Sequence, residues 1–173
     1  MESYGNMALA ELAAARRNEK KNAEIISEKL VKVFVTALYR EDIEALSKAL
    51  YRIPRTVGKS GERYQIIHHL VKPEDFAPQM SIAREAALVV VRMVDMLAKN
   101  PKLEDIKAKN DKMRELGGRA DQLVLGYLKE IYSGSTDPIK AMAMRDLYDL
   151  LEKVIARCRN SGNAVSQIVL ENS

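Results

Sequence analysis

Beyond Asp137 the chain places Leu147, Leu151, Val154, Ile155 and Cys158 at steps that return to one side of an α-helix. A helix turns once every 3.6 residues, so this spacing gathers the five side chains into one apolar stripe that needs covering. Asp137 can accept from free N–H groups, and Pro138 loses nothing in a first turn by lacking its own N–H. Together they predict a helix over residues 138–169. Ile26, Leu30, Val33 and Ala37 show the same period and predict a helix over residues 7–38. Ile43, Leu46, Ala49 (or Leu50) and Ile53 restart it after the turn "YRED", and His68 and His69 mark the end of that second helix. "KSGER" and the two-proline segment "KPEDFAPQ" interrupt the pattern. A third helix is expected over residues 81–99. Pro101 stops it, since a proline pushes the preceding residue out of helical geometry. A fourth is expected over residues 103–132, broken by "SGSTDP". No segment alternates with the period of a strand. The expected fold class is all-α, an antiparallel bundle of long helices with short connections.

A single domain over residues 1–173 accommodates this, and such a length supports a proper core. The eight methionines and eight glycines favour helix over sheet. The formal charge of +4 is mildly basic and lacks the clustering of a nucleic-acid footprint, so no nucleic-acid partner is expected. A lone Cys158 permits no internal disulfide and fits a reducing compartment. It lies on the apolar stripe and is expected in the core. The first residues lack the basic-then-apolar order of a secretion signal. "AALVVVRMVDMLA" is too short to span a bilayer and is expected to be a core helix. The expected location is cytoplasmic, at most peripheral to the inner membrane face.

The chain also hints at duplication. A helix ending in "FVTALYREDI" is followed by "EALSKALYRI", and one ending in "YLKEIYSGSTDPI" by "RDLYDLLEKV". This divides the domain into related halves, about residues 1–99 and 100–173.

These segments carry a resemblance. "FVTALYREDIEALSKAL" is similar to the helix–turn–helix of PhoU-like proteins, in the branch associated with Pit-type inorganic phosphate transporters. Phe34, Thr36, Arg40, Glu41, Asp42 and Ile43 match, whereas Ala37 and Tyr39 depart from the usual proline and aspartate. The closing segment adds Asp137-Pro138-Ile139, Leu147-Tyr148, Leu151-Glu152, Arg157-Cys158, Asn163, Ile168 and Leu170. The resemblance implies about six helices in two three-helix halves. It also implies acidic Glu/Asp-x-x-x-Asp motifs that hold iron or zinc clusters, since acids one turn apart point the same way.

Carried over residue by residue, those ligand positions fall on Asn18, Asn22, Tyr51, Arg55, Gly117, Asp121, Glu152 and Ala156. Asp121 and Glu152 alone remain acidic, Asn18 and Asn22 are weak neutral ligands, and Arg55 repels a cation. No metal and no cofactor are therefore expected. "YRIPR" then admits two accounts. Arg52 and Arg55 pair with nearby acids while Pro54 kinks the helix. Alternatively, Arg52, Arg55, Lys59 and Arg63 form a basic face that holds an anion or an acidic partner, provided the helix continues through Pro54, Gly58 and Gly61.

Other constellations carry less. Adjacent His68 and His69 point about 100° apart on a helix and cannot chelate together. "GKSGER" lacks P-loop spacing. No Glu-x-x-His motif is present, against a ferritin-like oxidase. Gly117 and Gly118 are expected to mark close helix packing. Arg16, Arg17, Lys20 and Lys21 form a basic cluster, either a solvated face or a contact for acidic lipid or a partner. The expected function is non-enzymatic: a PhoU-like regulator of inorganic phosphate transport acting by protein–protein contact. The expected partners are a phosphate transporter or sensor and further copies of itself. The alternative is a helical scaffold that has lost the phosphate role.

Overall fold

The computed structural model describes Arg17, Lys21, residues 40–97, Lys99 and residues 101–172. Four long helices fill these residues: α1 (Arg40–Ile67), α2 (Ala77–Leu97), α3 (Leu103–Ile131) and α4 (Pro138–Glu171). A 3-10 turn, Pro73–Phe76, leads into α2. The helix expected over residues 7–38 lies outside the described residues, apart from Arg17 and Lys21, which are both helical and exposed.

The last helix matches its sequence signals. Asp137 Oδ1 accepts from the N–H groups of Ile139 and Lys140, each at 3.0 Å, and Pro138 occupies the first turn. All five residues of the apolar stripe are buried, Cys158 completely. At the other expected breaks the structure departs from the pattern. "KSGER" does not interrupt the second helix, because α1 runs unbroken through Pro54, Gly58 and Gly61 to Ile67. An internal proline costs a helix about 3 kcal/mol. Leu46, Leu50, Ile53 and Val57, which pack on the main core, supply the compensating burial. "KPEDFAPQ" is likewise not an open loop. Asp75 Oδ2 accepts from the Lys72 N–H at 3.0 Å and closes the 3-10 turn. α2 then starts at Ala77 rather than Ser81, with Pro78 inside the first turn, where its missing N–H has no helical acceptor to serve. α2 is described as far as Leu97, and Lys99 stands in a turn.

Cross-helix contacts fix the directions. Arg63 bridges to Asp146 near one end of the α1–α4 seam, and Asp42 senses Glu171 at the other, so α1 is antiparallel to α4. Gln79 donates to the Tyr148 carbonyl and Met93 abuts Gly162, so α2 runs parallel to α4. Asn110 bonds Ser166 and Arg145 bonds Tyr132, which sets α3 antiparallel. α4 thus packs against each of the other described helices.

The core has two parts. The larger joins Ile82, Val90 and Met93 of α2, Ile106, Met113 and Leu116 of α3, and Val154, Ile155 and Cys158 of α4. The smaller closes one end of the bundle around Phe76 and Tyr148, with Tyr148 stacked on Tyr127 at 4.3 Å between ring centroids. Burial raises the phenol pKa of both tyrosines, and the Tyr148 hydroxyl donates to the Asp75 carbonyl. Two buried serines satisfy themselves locally: Ser60 donates to the Thr56 carbonyl and Ser161 to that of Arg157.

Candidate functional site

The unbroken course of α1 makes its outer face continuous. Steps of three and four residues place Lys48, Arg52, Arg55 and Lys59 on one stripe, and all four are exposed. No Asp or Glu occurs between Ala45 and Gly61. Lys48 leans toward Glu44 at 3.5 Å. Arg52, Arg55 and Lys59 have no ion pair among the described residues. The expected pairing of Arg52 and Arg55 with nearby acids is therefore not found among the described residues. Arg63 differs from the other three. It is half-buried and bridges to Asp146, so its charge is engaged within the fold. Of Arg52, Arg55, Lys59 and Arg63, the first three are without an ion pair among the described residues and the fourth is fixed.

The positions inherited through the resemblance scatter. Tyr51, Gly117 and Ala156 are half-buried, Arg55, Asp121 and Glu152 are exposed, and Asn18 and Asn22 lie outside the described residues. Among the described residues no three His, Cys, Asp or Glu side chains come together where a metal ion could be held. The described residues at these positions do not form the paired acidic motifs that the resemblance implies. His68 and His69 stand in the turn after α1 with rings nearly perpendicular, and His68 Nδ1 lies 2.8 Å from the Gln65 carbonyl.

A second surface feature escaped sequence reasoning. An open groove of about 720 Å³ runs between α2 and α3, lined by residues that include Ile82, Glu115, Gly118 and Arg119. Its charges are matched internally. Glu85 meets Lys112 at 3.2 Å and Arg119 at 3.3 Å, while Glu115 meets Lys112 at 2.9 Å and Arg119 at 3.8 Å. Hydrogen bonds to Glu115 and Glu85 raise the Lys112 pKa. Gly118 does not mark close packing: a Cβ there would meet nothing within 4 Å, and one at Gly117 only Arg159 Nη1 at 3.9 Å. The close approach lies instead at Gly162 on α4, where a Cβ would sit 3.3 Å from Met93 Sδ and 3.4 Å from Asn110 Oδ1. No sequence signal separates these glycines, because the distinction rests on which helix lies opposite.

No described helix is long and apolar enough to cross a membrane. Cys158 is sealed in the core, where burial pushes its thiol pKa up to about 12. It is therefore a poor nucleophile.

No protein-family profile matches the chain. The chain is similar to the UPF0111 protein YkaA of Bacillus subtilis (strain 168), at 26% identity over 152 residues. That alignment covers 88% of this chain and 74% of the relative.

Proposed function

We propose that this protein is a PhoU-like regulator that modulates inorganic phosphate transport by contact with a transporter or its sensor, and that α1 supplies the contact face. The observation that carries this reading is the acid-free row Arg52–Arg55–Lys59, free of ion pairs among the described residues. It occupies the helix on which the resemblance would place ligand acids. A surface of this kind suits recognition of an acidic partner better than catalysis, for which a positioned base, nucleophile or metal would be needed. The all-helical bundle and the distant likeness to a UPF0111 protein support the reading. The protein is expected to act as a homo-oligomer, with a mass by light scattering that is a multiple of the 19.5 kDa chain.

The test is affinity purification of the tagged chain from its native cells after mild detergent extraction, combined with phosphate-uptake assays in a deletion strain. A phosphate permease or sensor should co-purify, uptake should change on deletion, and Arg52→Glu/Arg55→Glu should abolish the association. Unchanged uptake together with no co-purifying permease or sensor would favour the scaffold alternative.

A further inference from the structure

The basic row has an apolar neighbour. Ile66 lies two turns beyond Lys59 on the same stripe of α1 and is 68% exposed. One turn past the Arg63–Asp146 bridge, the antiparallel seam brings Met142 of α4 to the level of Ile66, and Met142 is 71% exposed. Ile139, one turn further along α4, is 65% exposed. These three rank among the most exposed large apolar side chains of the described residues. From Lys48 to Lys59 the row extends about 16 Å at 1.5 Å per residue. The surface is therefore a basic row, followed by exposed Glu62 and the Arg63–Asp146 pair and then by protruding apolar side chains.

We infer that this face docks on an anionic bilayer surface, the arginines and lysines among the headgroups and Ile66 and Met142 at the boundary with the acyl chains. The inference rests on the reading of α1 as the contact face and names what that face meets first. The apolar side chains beside the charges favour a bilayer over a purely acidic protein surface. The outer face of a helix is convex, and the described groove lies elsewhere, between α2 and α3, with its charges already matched. A protein partner would need a groove of its own to enclose such a row, matched to its apolar tips as well as to its charges. A bilayer needs no shape match, because its charge is spread over a plane and its interior accepts any apolar tip. Each Lys or Arg near such a surface adds an attraction that salt screens, and each buried apolar side chain adds one that salt does not.

The test is co-sedimentation of the full chain with phosphatidylcholine vesicles, with and without phosphatidylglycerol. Wild type should bind the mixed vesicles, bind pure phosphatidylcholine weakly, and release as salt rises. Arg52→Gln/Arg55→Gln/Lys59→Gln should weaken binding by roughly a hundredfold with melting temperature unchanged. Neutralising three exposed cations elsewhere, Arg84→Gln/Arg92→Gln/Lys107→Gln, should weaken it far less. Ile66→Ser/Met142→Ser should weaken it about tenfold and leave the salt dependence intact. The inference is overturned if wild type ignores anionic vesicles, if both triple variants lose binding equally, or if soluble polyglutamate competes as well as vesicles do. This last outcome would point to an acidic protein surface. If vesicles fail to bind while a permease co-purifies through Arg52 and Arg55, the inference falls and the regulatory reading stands. Vesicle binding with neither a permease nor an uptake change gives the reverse.

Discussion

The inner face of α4 and the outer face of α1 are both stripes of side chains at helical spacing, yet they have opposite surroundings. On α4, Leu147, Val154, Ile155, Cys158 and Val165 each sit among side chains of the neighbouring helices, and Gly162 lets Met93 and Asn110 approach closely. On α1, Arg52, Arg55 and Lys59 point at solvent without an ion-pairing partner among the described residues. The first stripe consists of interactions that exist only in the folded state. The second contributes almost nothing to folding and is free to vary for another purpose. This contrast separates what holds the molecule together from what it offers outward.

The sharpest test of the sealed inner face is Cys158. Its burial and raised pKa should slow alkylation in the native protein by at least roughly a thousandfold relative to the denatured chain, the scale set by global unfolding. Mass spectrometry after timed iodoacetamide exposure reads this directly, and rapid native labelling would mean that α4 is not the centre of the bundle. Truncation comes next. Ile155→Ala should cost about 2–5 kcal/mol in urea melts, through lost burial and a cavity. Arg52→Glu/Arg55→Glu should stay within about 0.5 kcal/mol, with no rescue by added zinc. Comparable losses from the two would break the distinction between the stripes.

The glycines sharpen the same comparison at smaller scale. Gly118→Ala meets open space and should stabilise by up to about 1 kcal/mol through helix propensity. Gly162→Ala gains the same propensity but presses on Met93 and on Asn110, whose amide is tied to Ser166. It should be neutral to destabilising, so the two melting temperatures should move apart.

The smallest effect is expected where the two helices meet at their far ends. Burial first, and then the charge of Glu171, raise the Asp42 carboxyl pKa. A raised pKa means that the folded state holds this proton more tightly than the unfolded one. Stability from this group is therefore present at acid pH and falls as pH rises from the ordinary carboxylate range through the raised value. Asp42→Asn should stabilise at neutral pH by no more than about 0.5 kcal/mol, with the helix N-terminus opposing the gain. The difference should vanish below the ordinary carboxylate pKa. A variant that is less stable than wild type at neutral pH would show that the helix-terminal attraction outweighs the repulsion from Glu171.

Much of the bundle was legible in the chain. Apolar period, Asp137-Pro138 and Pro101 locate α4 and the break between α2 and α3, because these signals act within one or two turns. The break expected at "KSGER" failed for a reason that local rules do not contain. Pro54, Gly58 and Gly61 weaken a helix in isolation, and α1 persists because Ile53 and Val57 are covered by residues far away in sequence. The start of α2 shifted for the opposite reason: Asp75 closes a local 3-10 turn and Pro78 fits the first turn of the helix, in a segment whose two prolines read as a loop.

The candidate surface divides in the same way. The sequence by itself determined an all-helical chain, a stripe that must be buried on the last helix, and an acid-free basic run between Ala45 and Gly61. It also determined that six of the eight inherited ligand positions are not acids. Each of these follows from residue type and spacing along one helix. Only the tertiary structure decided that the run is one continuous exposed face, that Arg63 is engaged by Asp146, that Ile66 and Met142 are exposed at the same end of the α1–α4 seam, and that Gly162 rather than Gly118 is the tight contact. These depend on which residues distant in sequence come to lie opposite one another, and spacing along a single helix says nothing about the neighbour across the seam.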